Sequence, residues 1–370
     1  MQKIGILTFH SACNYGAFLQ AMSLQNYITS QSGVDCSVIN YCPYYIEEEY
    51  SVNPLRQKSR KAKLLLLHIL RSKDICKRNR LFRKFRESYL HLSEKCSDLK
   101  GFTDIANNYD TVIVGSDQVW NYDITKGDPV YFFGYTADRI KKYSYAASIG
   151  GCEYTESEEK LISKYLEHFR SISVREEKTR DKIRRITGRE NISVNLDPVF
   201  LTRREEWLRF ASAPKERDYI LFFMMGVSEK AEAAMNFAEE LGRKTGYQVL
   251  FLSDQERWYK YRKLRHVGVA SPAEFLGYIA NAKWVVTNSF HAAACSVILQ
   301  TPFFVETEIA RNDRILNLLA AFGLEKYGLV KGKLQSAWET VQEVDWNKVG
   351  NVLEKERDKA VNYLQNILDH

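Results

Sequence analysis

The chain has 370 residues, 45% of them hydrophobic and 27% charged, which is the size of two ordinary domains and too apolar for a disordered protein. Seven cysteines, an odd number with no C-x-x-C pair, argue against a disulfide or zinc framework and for reduced thiols in a cytoplasmic protein. The opening Ile4-Gly5-Ile6-Leu7 is too short for a signal peptide, no run approaches the ~20 apolar residues of a membrane span, and the net charge of +7 leaves a basic surface to be explained.

In chain order, Lys3 to Phe9 is the first expected strand. The Asn14-Tyr15-Gly16 turn follows, then a helix from Ala17 to about Ser30 and a second strand at Cys36 to Asn40. From Arg56 to Arg86 about a dozen bases accompany a single acid, Asp74, around the apolar run Leu64 to Leu67. Two readings stay open for this stretch. A basic amphipathic segment suits an anionic membrane surface, and a long helix can equally pack its leucines on the domain. Nucleic acid is not expected, because no nucleic-acid motif accompanies the charge.

Thr111 to Val114 reads as a buried strand leaving at Gly115-Ser116-Asp117, and Lys142 to Ala146 as another. A helix from about Glu156 to Phe169 precedes a short strand, Ser171 to Val174, that ends at Arg175. Ile192 to Asn195 closes this half before Leu196-Asp197-Pro198. The charged stretch Arg203 to Asp218, with Pro214, reads as irregular connection. The pattern then restarts with a strand at Tyr219 to Met225, a helix at Glu229 to Thr245 and a strand at Gln248 to Leu252. A helix at Pro272 to Ala282 behind Ser271, the strand at Trp284, the strand Pro302 to Val305, a helix after Asn312 and an amphipathic tail complete the chain.

These elements divide the chain into an N-terminal Rossmann-like domain (1–202, with a basic helical region at 56–90) and a linker (203–218). A C-terminal Rossmann-like domain (219–345) and a final helix (346–370) follow. Two successive β/α halves imply an α/β fold of two doubly wound parallel sheets facing across a cleft, a GT-B-like architecture. Ligands of such sheets gather at the carboxyl ends of the strands, so reactive groups are expected from both halves.

The most informative segment is WVVTNSFHAAACSVIL, where a β-branched run stops at Asn288-Ser289 and a small-residue helix begins around His291. A helix start after a strand offers unpaired N–H groups to an anion, and an imidazole there can bind phosphate or move a proton. Asn288 or Ser289 acting only as a helix cap is the competing reading. Arg175 directly follows an apolar strand, where a fork-like guanidinium suits a phosphate or carboxylate; a salt bridge to Glu176 or Glu177 is the alternative. Arg311 and Arg314 follow the next strand exit. Loop GSDQVWN offers Asp117, Gln118 and Asn121 to sugar hydroxyls and Trp120 to a sugar face, although Trp120 in the core is equally open. No G-x-G-x-x-G, Walker A or G-x-S-x-G motif is present.

Six stretches in register, ILTFHSACNYGAFLQAMSLQNYI, VIVGSDQVWN, YSYAAS, SVRE, LDPVFL and NSFHAAACSVILQTPF, resemble the polysaccharide pyruvyl transferase family over nearly the whole chain. The chain departs from that pattern at Ala292, where glycine is often expected. The resemblance implies transfer of the enolpyruvyl group of phosphoenolpyruvate to two hydroxyls of a sugar, giving a pyruvate ketal in capsular or exopolysaccharide biosynthesis. By that resemblance Arg175 and His291 match the arginine and histidine that hold the donor, and they are the expected catalytic residues; which loop holds the acceptor is not settled by it. Asn288, Ser289, Arg311 and Arg314 are expected on the donor side, and Asn14, Tyr15, Asp117, Gln118, Trp120 and Asn121 on the acceptor side. Phosphoenolpyruvate is then a co-substrate, and neither a cofactor nor a metal is expected. The acceptor is expected to be polyprenyl-diphosphate-linked, with 56–86 docking peripherally at the inner face of the cytoplasmic membrane. A nucleotide-sugar glycosyltransferase of the same architecture and a non-catalytic glycan-assembly factor are the rival functions.

Overall fold

The structure is a computed structural model that describes residues 1–49, 72–225, 229–253, 264–307, 313–329 and 344–369. Two parallel sheets of six strands form its frame. The first contains β1 (Gln2–Leu7), β2 (Val34–Val38), β3 (Thr111–Val114), β4 (Lys141–Ser144), β5 (Phe169–Val174) and β6 (Ile192–Val194), in the order β2-β1-β3-β4-β5-β6. The second contains β7 (Tyr219–Met224), β8 (Gln248–Ser253), β9 (Arg265–His266), β10 (Trp284–Thr287), β11 (Phe303–Glu306) and β12 (Gly328–Leu329), in the order β12-β11-β10-β7-β8-β9. Each order reverses direction once, between β1 and β3 and between β7 and β10. A crevice opens at the carboxyl ends beside such a reversal. The architecture is the expected pair of Rossmann-like domains facing across a cleft, and the two-residue strands β9 and β12 are the ones the hydropathy pattern was too short to show.

The inner strands of both sheets are buried and rich in β-branched and aromatic residues, as sheets covered on both faces require, while the edge strand β9 is exposed. Between the domains, helix α1 (Tyr15–Thr29) presents Tyr15, whose ring stacks on Phe275 at 4.4 Å and whose hydroxyl donates to the Ala270 carbonyl at 3.0 Å. Tyr15 is therefore part of the domain interface. This corrects its expected place on the acceptor side, because both ring and hydroxyl are used in packing.

Two further features concern connections, the first a difference and the second an expected helix. The expected irregular linker contains a helix, Arg204–Phe210, that buries Trp207 against the core and bonds its indole N–H to the Val199 carbonyl at 3.0 Å. The final helix, Trp346–Leu368, starts on the rear domain, where Val349 and Leu353 join its core. It ends on the front domain, with Leu364 and Ile367 against Ile4 and Leu24, and Tyr363 donating to the Ser144 carbonyl at 2.9 Å.

Of the basic stretch, residues 56–71 lie outside the described residues. Ser72–Tyr89 is one helix, which buries Phe82 and exposes Lys73, Lys77, Arg80 and Lys84. Its inner face grips the loop after β1: Arg78 donates to the Cys13 carbonyl and Arg86 to the Ser11 carbonyl at 3.1 Å. Among the described residues no helix is long and apolar enough to cross a membrane.

Candidate active site

Three strand exits of the front domain converge. Arg175, the first residue after β5, is buried and donates from Nη1 to Asp197 Oδ2 at 2.7 Å and from Nε to Glu176 Oε1 at 3.0 Å. Its Nη2 stands 3.6 Å from Asp117 Oδ1, beyond hydrogen-bond distance. The competing ion pair with Glu176 is thus real, and it is one of several. Burial opposes the charge on Arg175, but Glu176, Asp197 and Asp117 more than offset it and hold the guanidinium firmly protonated.

Asp197, on the exit of β6, caps the short helical turn Pro198–Phe200 by accepting the Val199 N–H at 3.1 Å. Burial alone would raise its carboxyl. The His291 ring, the Arg175 guanidinium and the Val199 N–H instead hold it below the usual carboxylate range. Asp117, after β3, sits at a φ of 76° and accepts the Gln118 N–H at 2.9 Å.

From the rear domain, the helix Phe290–Leu299 begins at the exit of β10. Ser289 caps it, accepting the Ala292 N–H at 3.4 Å. Asn288 closes the β7–β10 reversal, with its side chain accepting the Met225 N–H at 2.7 Å and donating to the Met225 carbonyl at 2.9 Å. Both side chains are spent on backbone, which is the competing cap reading for Ser289. His291 is buried, with Nε2 3.5 Å from Asp197 Oδ2, too long for a good hydrogen bond. The ring lies on the first turn of α1, where a Cβ on Gly16 would come within 2.0 Å of His291 Nδ1.

Phe290 centres the arrangement. The Arg175 guanidinium lies 4.9 Å from its ring centroid, the Arg314 guanidinium 5.9 Å, and the His291 ring 5.1 Å. Arg314, from the helix Asp313–Phe322, is shifted toward the neutral form by burial and then by the charge of Arg175. Arg175 Nη2, His291 Nε2 and Arg314 Nε are all buried without a hydrogen-bond partner. Unmet buried polar atoms are costly, and three nitrogens around one ring mark a place built for partners that the described residues do not supply. Arg311 lies outside the described residues.

The acceptor-side expectations divide. Asn14 caps α1, accepting the Ala17 N–H at 3.1 Å. Gln118 Oε1 accepts from Asn121 Nδ2 at 2.9 Å, and Asn121 Oδ1 also accepts the Asp123 N–H at 3.0 Å, so Asn121 is largely spent on its own loop. Trp120 cannot stack on a sugar: it is fully buried, stacked on Phe132 at 5.7 Å, with its indole donating to the Tyr131 carbonyl at 3.0 Å. Asp117, Gln118 and Asn14 keep partial exposure. Asp197, Phe290 and Gly16 are the members of the cluster that the sequence reading did not assign. The LDPVFL stretch carried the signal for Asp197, as an acid at a strand exit.

The polysaccharide pyruvyl transferase family model matches residues 14–307. No curated protein matches the chain significantly. Among solved structures, UDP-GlcNAc 2-epimerase of Methanocaldococcus jannaschii, in complex with UDP-GlcNAc and UDP, is similar with a TM-score of 0.55 at 14% identity, covering 99% of this chain and 100% of its own. UDP-GlcNAc 2-epimerase of Neisseria meningitidis, bound to UDP-GlcNAc, gives 0.54 at 11% identity, covering 100% of both chains. At such identities the likeness is one of fold, the GT-B arrangement.

Proposed function

We propose that this chain, which belongs to the polysaccharide pyruvyl transferase family, transfers the enolpyruvyl group of phosphoenolpyruvate to two hydroxyls of one sugar, forming a pyruvate ketal in surface-polysaccharide biosynthesis. The observation that carries this reading is the set of three buried, unbonded nitrogens on Arg175, His291 and Arg314 around Phe290. Phosphoenolpyruvate brings a carboxylate and a phosphate, and fixed cations beside a helix N-terminus suit such a dianion.

Protonation of the methylene carbon gives an oxocarbenium-like centre, to which one hydroxyl adds. Phosphate then leaves and the second hydroxyl adds. Each hydroxyl gives up one proton; one ends on the new methyl group and the other departs with phosphate. His291 contacts the phosphate or supplies the proton, Arg175 holds carboxylate or phosphate, and Arg314 supports it. Asn288 and Ser289 contribute to the donor side through the helix start they build. Asp117, with Gln118 and Asn14, faces the acceptor hydroxyls. The chemistry is general acid–base catalysis on a fixed dianion.

The exposed cations Lys73, Lys77, Arg80 and Lys84 recur at helical spacing along one stripe of a helix that also grips the β1 loop. This supports a polyprenyl-diphosphate-linked acceptor and peripheral docking at the inner face of the cytoplasmic membrane. The decisive assay incubates the protein with phosphoenolpyruvate and a panel of lipid-linked sugars and reads the pyruvyl mass increment. Phosphate is expected in equal amount. A thermal shift with UDP and none with phosphoenolpyruvate would favour a glycosyltransferase, and lipid binding without phosphate release an assembly role. Co-sedimentation with anionic but not neutral vesicles is expected; equal recovery with both removes the docking idea.

A further inference from the structure

We infer that Asp197 is a positioning residue that fixes the His291 imidazole with a proton on Nε2 and turns the Arg175 guanidinium so that Nη2 is left unbonded for a ligand; its effect on turnover rests on the pyruvyl-transfer reading above. Three observations lead there. Asp197 is fully buried, its Oδ1 accepts the Val199 N–H, and its Oδ2 is the oxygen that faces the side chains of the site. That one oxygen takes Arg175 Nη1 at 2.7 Å, lies 3.4 Å from Ser116 Oγ, and lies 3.5 Å from His291 Nε2. Groups from the exits of β3 and β5 and from the opposite domain therefore share a single acceptor on the exit of β6.

A carboxylate only accepts hydrogen bonds, and even at 3.5 Å its charge favours the tautomer whose proton lies on the ring nitrogen facing it. The His291 ring, the Arg175 guanidinium and the Val199 N–H favour the ionised state of Asp197. The other ring nitrogen is packed on Gly16, where even a Cβ would collide. The groups facing the ring are Asp197 and, across Phe290, Arg175 and Arg314; Cys295, one turn along the same helix, also lies within the electrostatic reach of Asp197. The long contact has a use. An N–H held loosely at 3.5 Å can turn to an anionic oxygen arriving beside it, with Asp197 remaining behind as counter-charge.

The test compares wild type with Asp197→Asn. An asparagine keeps the shape, but its amide can donate to Nε2 and shift the proton to Nδ1, the same logic by which an Asp-to-Asn change in a serine-protease triad sets the wrong tautomer. Long-range proton–nitrogen correlation spectra of histidine-labelled full-length protein, with His291 assigned by loss of its signals in His291→Asn, read the tautomer without any substrate. The wild type is expected to show Nε2–H in the neutral ring and Asp197→Asn to show Nδ1–H. In the transfer assay kcat should fall ~10³-fold, with KM for phosphoenolpyruvate changed by less than about threefold. A wild type with Nδ1–H overturns the inference, and needs no variant to fold. An unchanged tautomer in Asp197→Asn, or kcat within about threefold of wild type, overturns it equally. The expected tautomer shift in a protein that forms no pyruvyl product supports the positioning role and sinks the reaction instead.

Discussion

The two domains supply nitrogen groups to the same crevice in different settings. Arg175 of the front domain is braced by acids, with hydrogen bonds to Asp197 and Glu176 and a third carboxylate, Asp117, 3.6 Å away, and only its Nη2 stands unbonded. His291 and Arg314 of the rear domain keep buried nitrogens without partners, and Arg314 is pushed toward its neutral form by burial. A guanidinium surrounded by acids is held in place more than it is available. The difference is one of bracing: acids fix the front guanidinium with one nitrogen left open, and the rear nitrogens stand open beside it.

Replacing the rear imidazole should do the most damage. His291→Ala is expected to lower kcat/KM by ~10³-fold or more in the transfer assay, within the range for loss of a general acid or a preorganised donor. Near-normal turnover would break the comparison at its centre. Gly16→Ala comes next. Its methyl group would sit within 2.0 Å of His291 Nδ1, so the ring must move. A ~10²-fold loss of turnover is expected from such misplacement, with a chemical-denaturation cost of about 1–3 kcal/mol. An unaltered rate would show that the position of the ring is not critical.

Arg314→Gln separates affinity from stability. KM for phosphoenolpyruvate should rise ~10-fold, while thermal stability holds or improves slightly, because the variant removes a buried charge that lacks a full set of partners. A pronounced fall in stability without a change in KM would place Arg314 in the frame and not on the ligand side. The last effect is confined to acid pH. The folded Asp197 carboxyl titrates below its unfolded value of ~3.9, so its stabilising contribution is complete above that value and is lost as pH falls through the lower folded one. Circular dichroism from pH 7 to pH 2 should show wild type losing its advantage over Asp197→Asn below about pH 4; parallel curves would contradict the ionised, partnered carboxylate.

The strands were legible because hydrophobic runs of four to six residues bounded by Gly, Asp and Ser leave little choice. The helix at Arg204–Phe210 was obscured by its charge: only Trp207 among its residues is buried, too little to form a period. At the site, residue type and strand exit sufficed to bring Arg175 and His291 forward, since a cation and an imidazole are rare after apolar runs. The same logic misled at Trp120. An aromatic in a polar loop looks the same in sequence whether it faces a sugar or the core, and only the Tyr131 carbonyl waiting for its N–H decides. Asp197 went unassigned because its partners come from strands far apart in the chain, and no local spacing records them.

The last helix has a mechanical consequence. Its 23 residues span about 35 Å at 1.5 Å per residue, with one end rooted in each half of the molecule. Such a strut resists shortening far more than it resists pivoting about its ends. A rotation of one domain against the other would therefore pivot about this spacer, whose length keeps its two anchor points a constant distance apart.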